Sequence, residues 1–528
     1  DVYKRQTPAT TVALRQRHQW MGQDRRPAVV ELDDTTIAVL DGWRSCQAAE
    51  LDGQRTPNGT DHAERRCSGQ AGAVTGSKET GGTGGGDEPK RVVIMGAGGR
   101  DFHDFNTIFR DDPTHRVGAF TAAQIPDIDD RLYPASLAGP LYPRGVPIVA
   151  EERLARIVAE EAVDEVVFAY SDLSHDDVMH RASIALAAGA DFRLAGPGAT
   201  MLDTTARVIA VCATRTGCGK SQTSRSVARM LRDDGHRVAM LRHPMPYGDL
   251  ASMAVQRFAT LADIDASKPT VEEREEYEPV VAMGVVMYAG VDYEAILRAA
   301  EQEADVLVWD GGNNDLPFVR PDIMITVADA LRPGDGLTHH PGETNLRLAD
   351  IVVVNKVDEA RSDDVERAIA DTRLVNPGAT IVRTASPVTL EPGPSLEGRR
   401  VLVVEDGPTI THGGMPYGAG AVAALAAGAA ELVDPREAAV GSIAETFRRH
   451  PHIGSVLPAM GYGPEQLDEL GATIAAVDCD VVVLGTPGDL TRLLDVPHPV
   501  RRATYASADA GSPTLEETVM ERVRAWSR

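Results

Sequence analysis

The nine residues from Ala213 to Ser221 (ATRTGCGKS) have the composition of a loop that binds nucleotide phosphates. Gly217 and Gly219 let the backbone turn so that successive N–H groups point inward, and a following helix adds its positive dipole end. In such a loop Lys220 is expected to reach the terminal phosphates, and the Ser221 hydroxyl to ligate Mg²⁺. The alternative is a structural glycine turn that carries Lys and Ser by chance.

The first position of the loop departs from the usual G-x-x-x-x-G-K-[ST] pattern, because Thr214 stands where glycine is expected. The stretch matches a variant in which a basic residue precedes Gly-x-Gly-Lys and brings a cation to the phosphates from within one subunit or across a dimer. We therefore predict that Arg215 and Lys220 are catalytic, and Arg215 favours a homodimer. The predicted nucleotide contacts of the loop are Thr216, Gly217, Cys218, Gly219, Lys220, Ser221 and Gln222.

Two further apolar stretches end in polar residues suited to a nucleotide site. Asp305 to Gly312 (DVLVWDGG) predicts a strand with Asp310 at its tip, where a carboxylate holds Mg²⁺ through water. Asp310 is thus a predicted catalytic residue and, with Ser221, a predicted metal ligand.

The second stretch, Ala349 to Asp358, ends in N-K-V-D. Asp358 would accept hydrogen bonds from the N1–H and 2-amino groups of guanine, which adenine cannot supply. Asn355 would face the other edge of the base, and the Lys356 stem would cover the ring. The motif favours GTP, but ATP stays open because some proteins with such loops use ATP.

A parallel sheet is needed to bring these motifs to one edge. Val208 to Cys212 predicts a buried strand before the loop, and Gln222 to Asp233 predicts a helix after it. Strands alternate with helical runs along most of the chain, which indicates doubly wound α/β architecture with ligands at the carboxyl ends of the strands. The predicted fold class is α/β: a P-loop NTPase core flanked by an N-terminal Rossmann-like domain and a C-terminal α/β unit.

Composition shifts set the predicted domain boundaries. Residues 1–88 contain a glycine run and no sustained periodicity, so we interpret them as a disordered or spurious extension. We predict a Rossmann-like domain over 89–206, the P-loop domain over 207–398 and a C-terminal α/β domain over 399–528. The glycine turn at Gly96 to Arg100 leaves three interpretations open: an NAD(P) site, a phosphate or anion site, or a structural turn.

One acidic stretch has two interpretations. Glu272 to Glu278 (EEREEYE) predicts a helix that is either a solvated face or a lid or interaction surface.

The charge balance narrows the possible partners. The 528 residues carry 78 acidic and 53 basic side chains, a formal net charge of −25, which argues against nucleic-acid or anionic-membrane binding. No apolar run reaches the 18 residues typical of a membrane span, and the cysteines show neither zinc nor C-x-x-C spacing. We therefore predict a cytoplasmic protein.

With these residues in hand, the chain resembles a family of archaeal and bacterial P-loop proteins described as predicted GTPases or as cyclic 2,3-diphosphoglycerate synthetases. The resemblance covers about residues 91–525. The matching segments are Val92 to Asn106 (VVIMGAGGRDFHDFN), Phe120 to Asp127 (FTAAQIPD), Ala213 to Ser224 (ATRTGCGKSQTS), Arg242 to Asp249 (RHPMPYGD), Asp310 to Asp315 (DGGNND), His340 to Asn345 (HPGETN) and Val404 to Tyr417 (VEDGPTITHGGMPY).

This resemblance implies an enzyme that uses ATP or GTP with Mg²⁺ to close 2,3-diphosphoglycerate into a cyclic pyrophosphate, by phosphoryl transfer followed by loss of inorganic phosphate. A small substrate with several negative charges needs a pocket rich in arginine, because guanidinium groups bind phosphates well. The predicted substrate contacts, at the edges of the motifs, are Arg100, Arg242, His243, Arg257, Arg320 and His412. The alternative function is a GTPase that acts as a regulatory or metallochaperone-like switch.

Overall fold

The sheet that carries the nucleotide motifs has nine strands among the residues that the computed structural model describes, which are 88–123, 131–242, 248–312, 315–411, 413–460 and 464–526. The predicted extension over residues 1–88 therefore lies almost wholly outside the described residues. Neighbouring strands are parallel except at the two edges. In spatial order the strands are Gln256–Phe258, Val286–Ala289, Val238–Arg242, Val306–Trp309, Arg207–Ala213, Ile323–Asp329, Ile351–Asn355, Thr380–Ala385 and Ala508–Asp509.

Helices cover both faces of this central sheet, which explains why its inner strands are almost continuously apolar. Alternate residues of the strand Arg207–Ala213 enter two different cores: Ile209 and Val211 pack on one face, Val208 and Ala210 on the other. The doubly wound fold predicted from the sequence is confirmed. The helices of this part are Lys220–Asp233, Leu261–Ser267, Val271–Ala282, Tyr293–Ala300, Gly342–Leu348, Ser362–Val375 and Leu515–Ala525, with a 3₁₀ turn at Asp335–Leu337.

A second sheet, the N-terminal sheet, is parallel except for one short edge strand. Its strands, in spatial order, are Leu132–Tyr133, Val146–Ala150, His115–Ala122, Lys90–Met95, Glu165–Phe168 and Asp191–Leu194. Its helical segments are Arg100–Asp104, Phe105–Phe109, Ala135–Ala138, Glu151–Arg153, Leu154–Glu160, His175–Ala188 and Pro197–Thr200. Leu173–Ser174 pairs antiparallel with His339–His340, so this sheet is joined directly to the central part of the chain.

The third sheet, the C-terminal sheet, has Arg400–Asp406 at its centre. Its strands, in spatial order, are Val388–Leu390, Val500–Tyr505, Val481–Gly485, Arg400–Asp406 and Glu431–Leu432, and Leu457–Ala459 also pairs with the central strand. Its helical segments are Gly407–Ile410, Ala419–Ala426, Gly441–Arg449, Pro464–Ala476 and Leu490–Arg492. None of the helices in the described part of the chain combines the length and the apolar character needed to cross a membrane.

The last segment of the chain leaves the C-terminal sheet and packs against the P-loop core. Strand Ala508–Asp509 extends the central sheet, and helix Leu515–Ala525 buries Leu515, Val519 and Val523 in the same core as the P-loop helix. A capping box between Thr514 and Glu517 begins this helix. The C-terminal sheet is therefore formed by residues 388–505, which differs from the predicted unit over 399–528.

We expect Leu515→Ala to destabilise the P-loop core, because Leu515 is buried between the terminal helix and the central sheet. The cost of the cavity left behind is about 2–5 kcal/mol in free energy of unfolding. Urea unfolding followed by fluorescence measures it. Leu374→Ala, on an exposed face of helix Ser362–Val375, is the matched control and should change stability by less than about 0.5 kcal/mol. Equal losses in the two variants would contradict this packing.

Candidate functional site

A cavity of about 410 Å³ lies where the carboxyl ends of strands from all three sheets meet. The N-terminal sheet contributes its glycine turn and the segment after Glu165–Phe168. The central sheet contributes the P-loop, Arg242 and helix Val271–Ala282, and the C-terminal sheet contributes the loop from Glu405 to Ala419. This arrangement follows the rule that ligands bind outside the carboxyl ends of parallel strands.

The P-loop connects strand Arg207–Ala213 to helix Lys220–Asp233, as its sequence predicted. Gly217 and Gly219 have φ angles of +79° and +99°, in the region that favours glycine. A Cβ atom at 219 would also overlap the side-chain amide of Asn355. All the predicted loop contacts except Cys218 line the cavity, whereas the Cys218 side chain is buried away from it.

The N-K-V-D segment supports the P-loop from behind. Asn355 Nδ2 donates to the Cys218 carbonyl at 2.9 Å, and Lys356 Nζ donates to the Gly217 carbonyl at 2.7 Å. Asn355 is fully buried and does not line the cavity, which corrects its predicted role as a base contact. Exposed Asp358 accepts the backbone N–H of Ser386 at 3.1 Å, and its reading of guanine stays a prediction.

Asp310 lies just beyond strand Val306–Trp309 and is the counterion of two cations. Lys220 Nζ contacts its carboxylate and also donates to the Gly311 carbonyl at 2.6 Å, while Arg242 approaches the other oxygen at 3.4 Å. Burial alone would raise the pKa of Asp310, but the charges of Lys220 and Arg242 outweigh it and hold the pKa below the usual value. The carboxylate is therefore ionised.

The residues predicted to hold Mg²⁺ suit this ion. Ser221 lines the cavity, and the ionised carboxylate of Asp310 lies beside Lys220 of the same loop. Both offer the oxygen ligands that Mg²⁺ prefers, and this ion takes most of its remaining ligands from phosphates and water. Among the described residues, no group of three His, Cys, Asp or Glu side chains is arranged to hold a metal. These observations fit an ion that arrives with a nucleotide.

Arg215 is held by carboxylates of its own chain. Its guanidinium donates to Asp172 at 2.6 Å and to Asp335 at 2.7 Å, and Asp172 also accepts the N–H of Thr216. Asp172 belongs to the N-terminal part of the chain, so these bonds join that part to the P-loop. The predicted catalytic role of Arg215 and the predicted homodimer remain predictions.

The predicted substrate contacts are only partly brought together. Arg100 and Arg242 line the cavity. Arg257 and Arg320 instead form surface ion pairs, with Glu303 at 2.7 Å and Asp203 at 2.8 Å, and neither lines the cavity. Their prediction is corrected for that reason. His243 and His412 lie outside the described residues.

Arg100 has most of its donors in use. It pairs with buried Asp104 at 3.1 Å and donates to the Thr200 hydroxyl at 3.0 Å. The glycine turn before it is occupied as well, because the Asp101 carboxylate accepts the N–H groups of Gly98 and Gly99 at 2.8 and 3.1 Å. An anion would need these N–H groups. Of the three interpretations of the turn, this geometry supports the structural one.

The acidic helix is not a solvated face. Within helix Val271–Ala282, Glu273, Arg274 and Glu275 are buried, and Glu278 bonds Arg492 next to the C-terminal sheet at 3.0 Å. Val271 of this helix packs into the core of the C-terminal sheet, while Tyr277 and Val280 pack into the P-loop core, so the helix lies between the two. The interpretation as a solvated helix was wrong.

The walls of the cavity are more acidic than basic. Among the described lining residues, the acidic ones are Asp101, Asp172, Glu273, Glu275, Glu276, Asp315, Glu359, Glu405 and Asp406, and the basic ones are Arg100, Arg215, Lys220, Arg225, Arg242 and Lys356. The sequence motifs did not predict that several of these residues line the cavity, because those residues lie outside the nucleotide motifs. The acidic helix and strand Arg400–Asp406 supply most of the carboxylates.

Two of these carboxyl groups have a pKa raised to about 7. Burial raises the pKa of Asp315 to about 7, although Arg100 and Ser171 oppose the shift. Burial also raises the pKa of Glu405 to about 7, against the N–H groups of Gly418, Gly420 and Ala421 that donate to it. Both groups therefore change charge near neutral pH.

Comparison with known proteins identifies the family. A model of the CobW/HypB/UreG nucleotide-binding domain matches residues 301–383. The arginine synthetase ArcE of Thermococcus kodakarensis is 56% identical over 432 residues, which are 82% of this chain and 96% of that protein. The chain belongs to the family of this synthetase.

Two other similarities are more limited. The cyclic 2,3-diphosphoglycerate synthetase of Pyrococcus furiosus is 31% identical over 88 residues, 17% of this chain and 20% of that protein. A crystal structure of LpxK from Aquifex aeolicus with ATP is 15% identical, with a TM-score of 0.36, and covers 62% of this chain and 90% of its own. The matched nucleotide-binding domain and the family of the synthetase confirm the predicted P-loop nucleotide-binding class.

We expect Gly219→Ala to weaken nucleotide binding at least 10-fold. A left-handed φ costs a residue with a Cβ about 1–2 kcal/mol, and the overlap with Asn355 adds to this cost. Isothermal titration with ATP and GTP measures the loss. Gly198→Ala, at an exposed position with open space around it, is the control and should bind as the wild type does. Wild-type affinity in Gly219→Ala would contradict the assignment of this loop.

Proposed function

We propose that this chain is a nucleotide-dependent synthetase that makes arginine from citrulline and ammonia. The observation that carries the proposal is the acidic wall of the cavity, which faces a P-loop able to bind a nucleotide. Carboxylates complement a guanidinium or an ammonium group. The 56% identity to a protein named arginine synthetase supports the same conclusion.

The acidic wall weighs against the substrate implied by the earlier resemblance. 2,3-Diphosphoglycerate carries several negative charges and would lie beside Glu275, Glu276 and Asp406, where like charges repel. The similarity to a cyclic 2,3-diphosphoglycerate synthetase covers only 17% of this chain. Cyclisation of diphosphoglycerate is therefore the alternative reaction, and the assay described below tests it.

The chemistry of the proposed reaction balances in two steps. The ureido oxygen of citrulline attacks the γ-phosphorus of the nucleotide, which forms an O–P bond and releases the nucleoside diphosphate. Ammonia then adds to the ureido carbon, and the C–O bond breaks with loss of inorganic phosphate, which leaves the guanidinium of arginine. The phosphoryl group thus turns a poor leaving group into a good one.

In this reaction the P-loop residues bind and orient the nucleotide. Lys220 and Arg242, now paired with Asp310, would turn to the phosphates, and Ser221 with Asp310 would hold Mg²⁺. When bound, this ion neutralises phosphate charge. Arg215, now paired with Asp172 and Asp335, would supply positive charge if it turned to the phosphates. The assay described below compares ATP with GTP as the phosphoryl donor.

We assign Asp315 as the general base for the attacking nitrogen. It lines the cavity, and its backbone is fixed by hydrogen bonds to Gly312 at 3.1 Å and from Asn345 at 3.4 Å. Because its pKa is raised to about 7, it accepts a proton above neutral pH and is itself protonated below.

The assay that tests the proposal incubates the full chain with Mg²⁺, citrulline, ammonium and either ATP or GTP. We expect arginine and inorganic phosphate in equal amounts, measured by chromatography and phosphate release, and almost none with Lys220→Ala. In parallel, 2,3-diphosphoglycerate replaces citrulline, with phosphorus NMR of the products. A cyclic pyrophosphate signal without arginine would overturn the proposal, as would GTP hydrolysis indifferent to both substrates, which would favour the GTPase switch.

If Asp315 is the base, kcat at saturating ammonium should rise as the pH increases through about 7, because the carboxyl group then loses its proton. Asp315→Asn should lower kcat about 100-fold and remove this step, because an amide cannot accept the proton. Asp478→Asn, whose side chain is exposed, is the control. A wild-type pH profile in Asp315→Asn would exclude Asp315 as the base.

A further inference from the structure

Arg225, on the P-loop helix, differs from the other cations that line the cavity. It is half-buried and forms no hydrogen bond or ion pair with any residue that the structure describes. The five other lining cations are all in use: Arg100, Arg215, Lys220, Arg242 and Lys356 each bond a carboxylate. A guanidinium that is partly removed from water and left without a counterion is suited to an anionic ligand.

Arg225 lies one turn further along the P-loop helix than Ser221, the predicted Mg²⁺ ligand. It follows Ser221 by four residues, so the two side chains share one face of the helix, separated by about 6 Å along its axis. The glycine-rich backbone of the P-loop lies at the N-terminal end of that helix, one turn before Arg225. Residues of the C-terminal sheet and of the acidic helix line the same cavity as Arg225.

Tyr505, at the end of strand Val500–Tyr505, is one of the residues that line this cavity. Arg225, Asp406, Glu275 and Glu276 line the same cavity as Tyr505, and their charges act on its hydroxyl. Burial raises the pKa of Tyr505, so its hydroxyl keeps a proton to donate. This region of the cavity therefore offers one cation, one neutral donor and several carboxylates.

That combination matches the two charges of a free α-amino acid. We propose that Arg225, assisted by the Tyr505 hydroxyl, binds the α-carboxylate of the amino-acid substrate, while the carboxylates around Tyr505 face its α-ammonium group. The proposal rests on the function proposed above and adds to it the recognition of the amino-acid backbone. It makes Arg225 a residue that selects amino acids over amines with the same side chain.

Agmatine, which is arginine without its carboxylate, isolates this contact. We expect the wild-type chain to bind arginine about 10- to 100-fold more tightly than agmatine in isothermal titration, the range for a charge-assisted hydrogen bond. In Arg225→Met the affinity for arginine should fall by that factor while the affinity for agmatine stays unchanged, so that the preference disappears. Arg225→Lys should keep part of it, because one charge remains without the planar fork.

The matched control is Arg229→Met, one turn further along the same helix, where the side chain is exposed. It should bind both ligands as the wild type does, and the KM for nucleotide should be unchanged in every variant. Circular dichroism and thermal unfolding check that Arg225→Met is folded.

Three outcomes would overturn the proposal, and they are distinguishable. If Arg225→Met keeps the preference for arginine, the carboxylate is bound elsewhere and the synthetase function stands. If the KM for nucleotide rises and arginine binding does not change, Arg225 contacts the nucleotide. If the wild-type chain binds nucleotide but neither arginine nor agmatine, the proposed function fails together with this inference.

Discussion

The geometry of the P-loop depends on the ion pairs that the buried carboxylate of Asp329 forms with two cations. The carboxylate pairs with Lys356 at 2.8 Å and Arg332 at 3.0 Å, and these cations outweigh the burial that would otherwise raise its pKa. Each cation also donates to a P-loop carbonyl, Lys356 to Gly217 and Arg332 to Thr216. The carbonyl groups of Thr216 and Gly217 are thus both held by cations that share one buried carboxylate.

The same carboxylate connects the loop to the rest of the chain. Arg332 donates to the carbonyl of Gly413, in a loop of the C-terminal sheet, while Arg215 joins the P-loop to Asp172 after the N-terminal sheet. The cavity is therefore assembled by contacts made at the P-loop itself. A change that weakens the Asp329 pairs alters the phosphate site and the position of the acidic wall together.

The sequence predicted what local patterns determine, and missed what depends on distant partners. The strand, loop and helix around Lys220 were predicted because glycine conformation and apolar runs act over a few residues. The role of Asn355 as a P-loop support and the burial of Glu275 depend on residues far away in the chain. Arg257 and Arg320 were selected for lying near motifs, but nearness in sequence does not show on which side of a sheet a guanidinium lies.

The return of helix Leu515–Ala525 to the P-loop core has a consequence for how the protein is made. Strands Thr380–Ala385 and Ala508–Asp509 pair directly, so the C-terminal sheet is an insertion between neighbouring elements of the central sheet. Helix Leu515–Ala525 is synthesised after residues 388–505, so it can join the P-loop core only once the C-terminal sheet has been made. The P-loop core therefore completes its packing long after its signature motif has been synthesised.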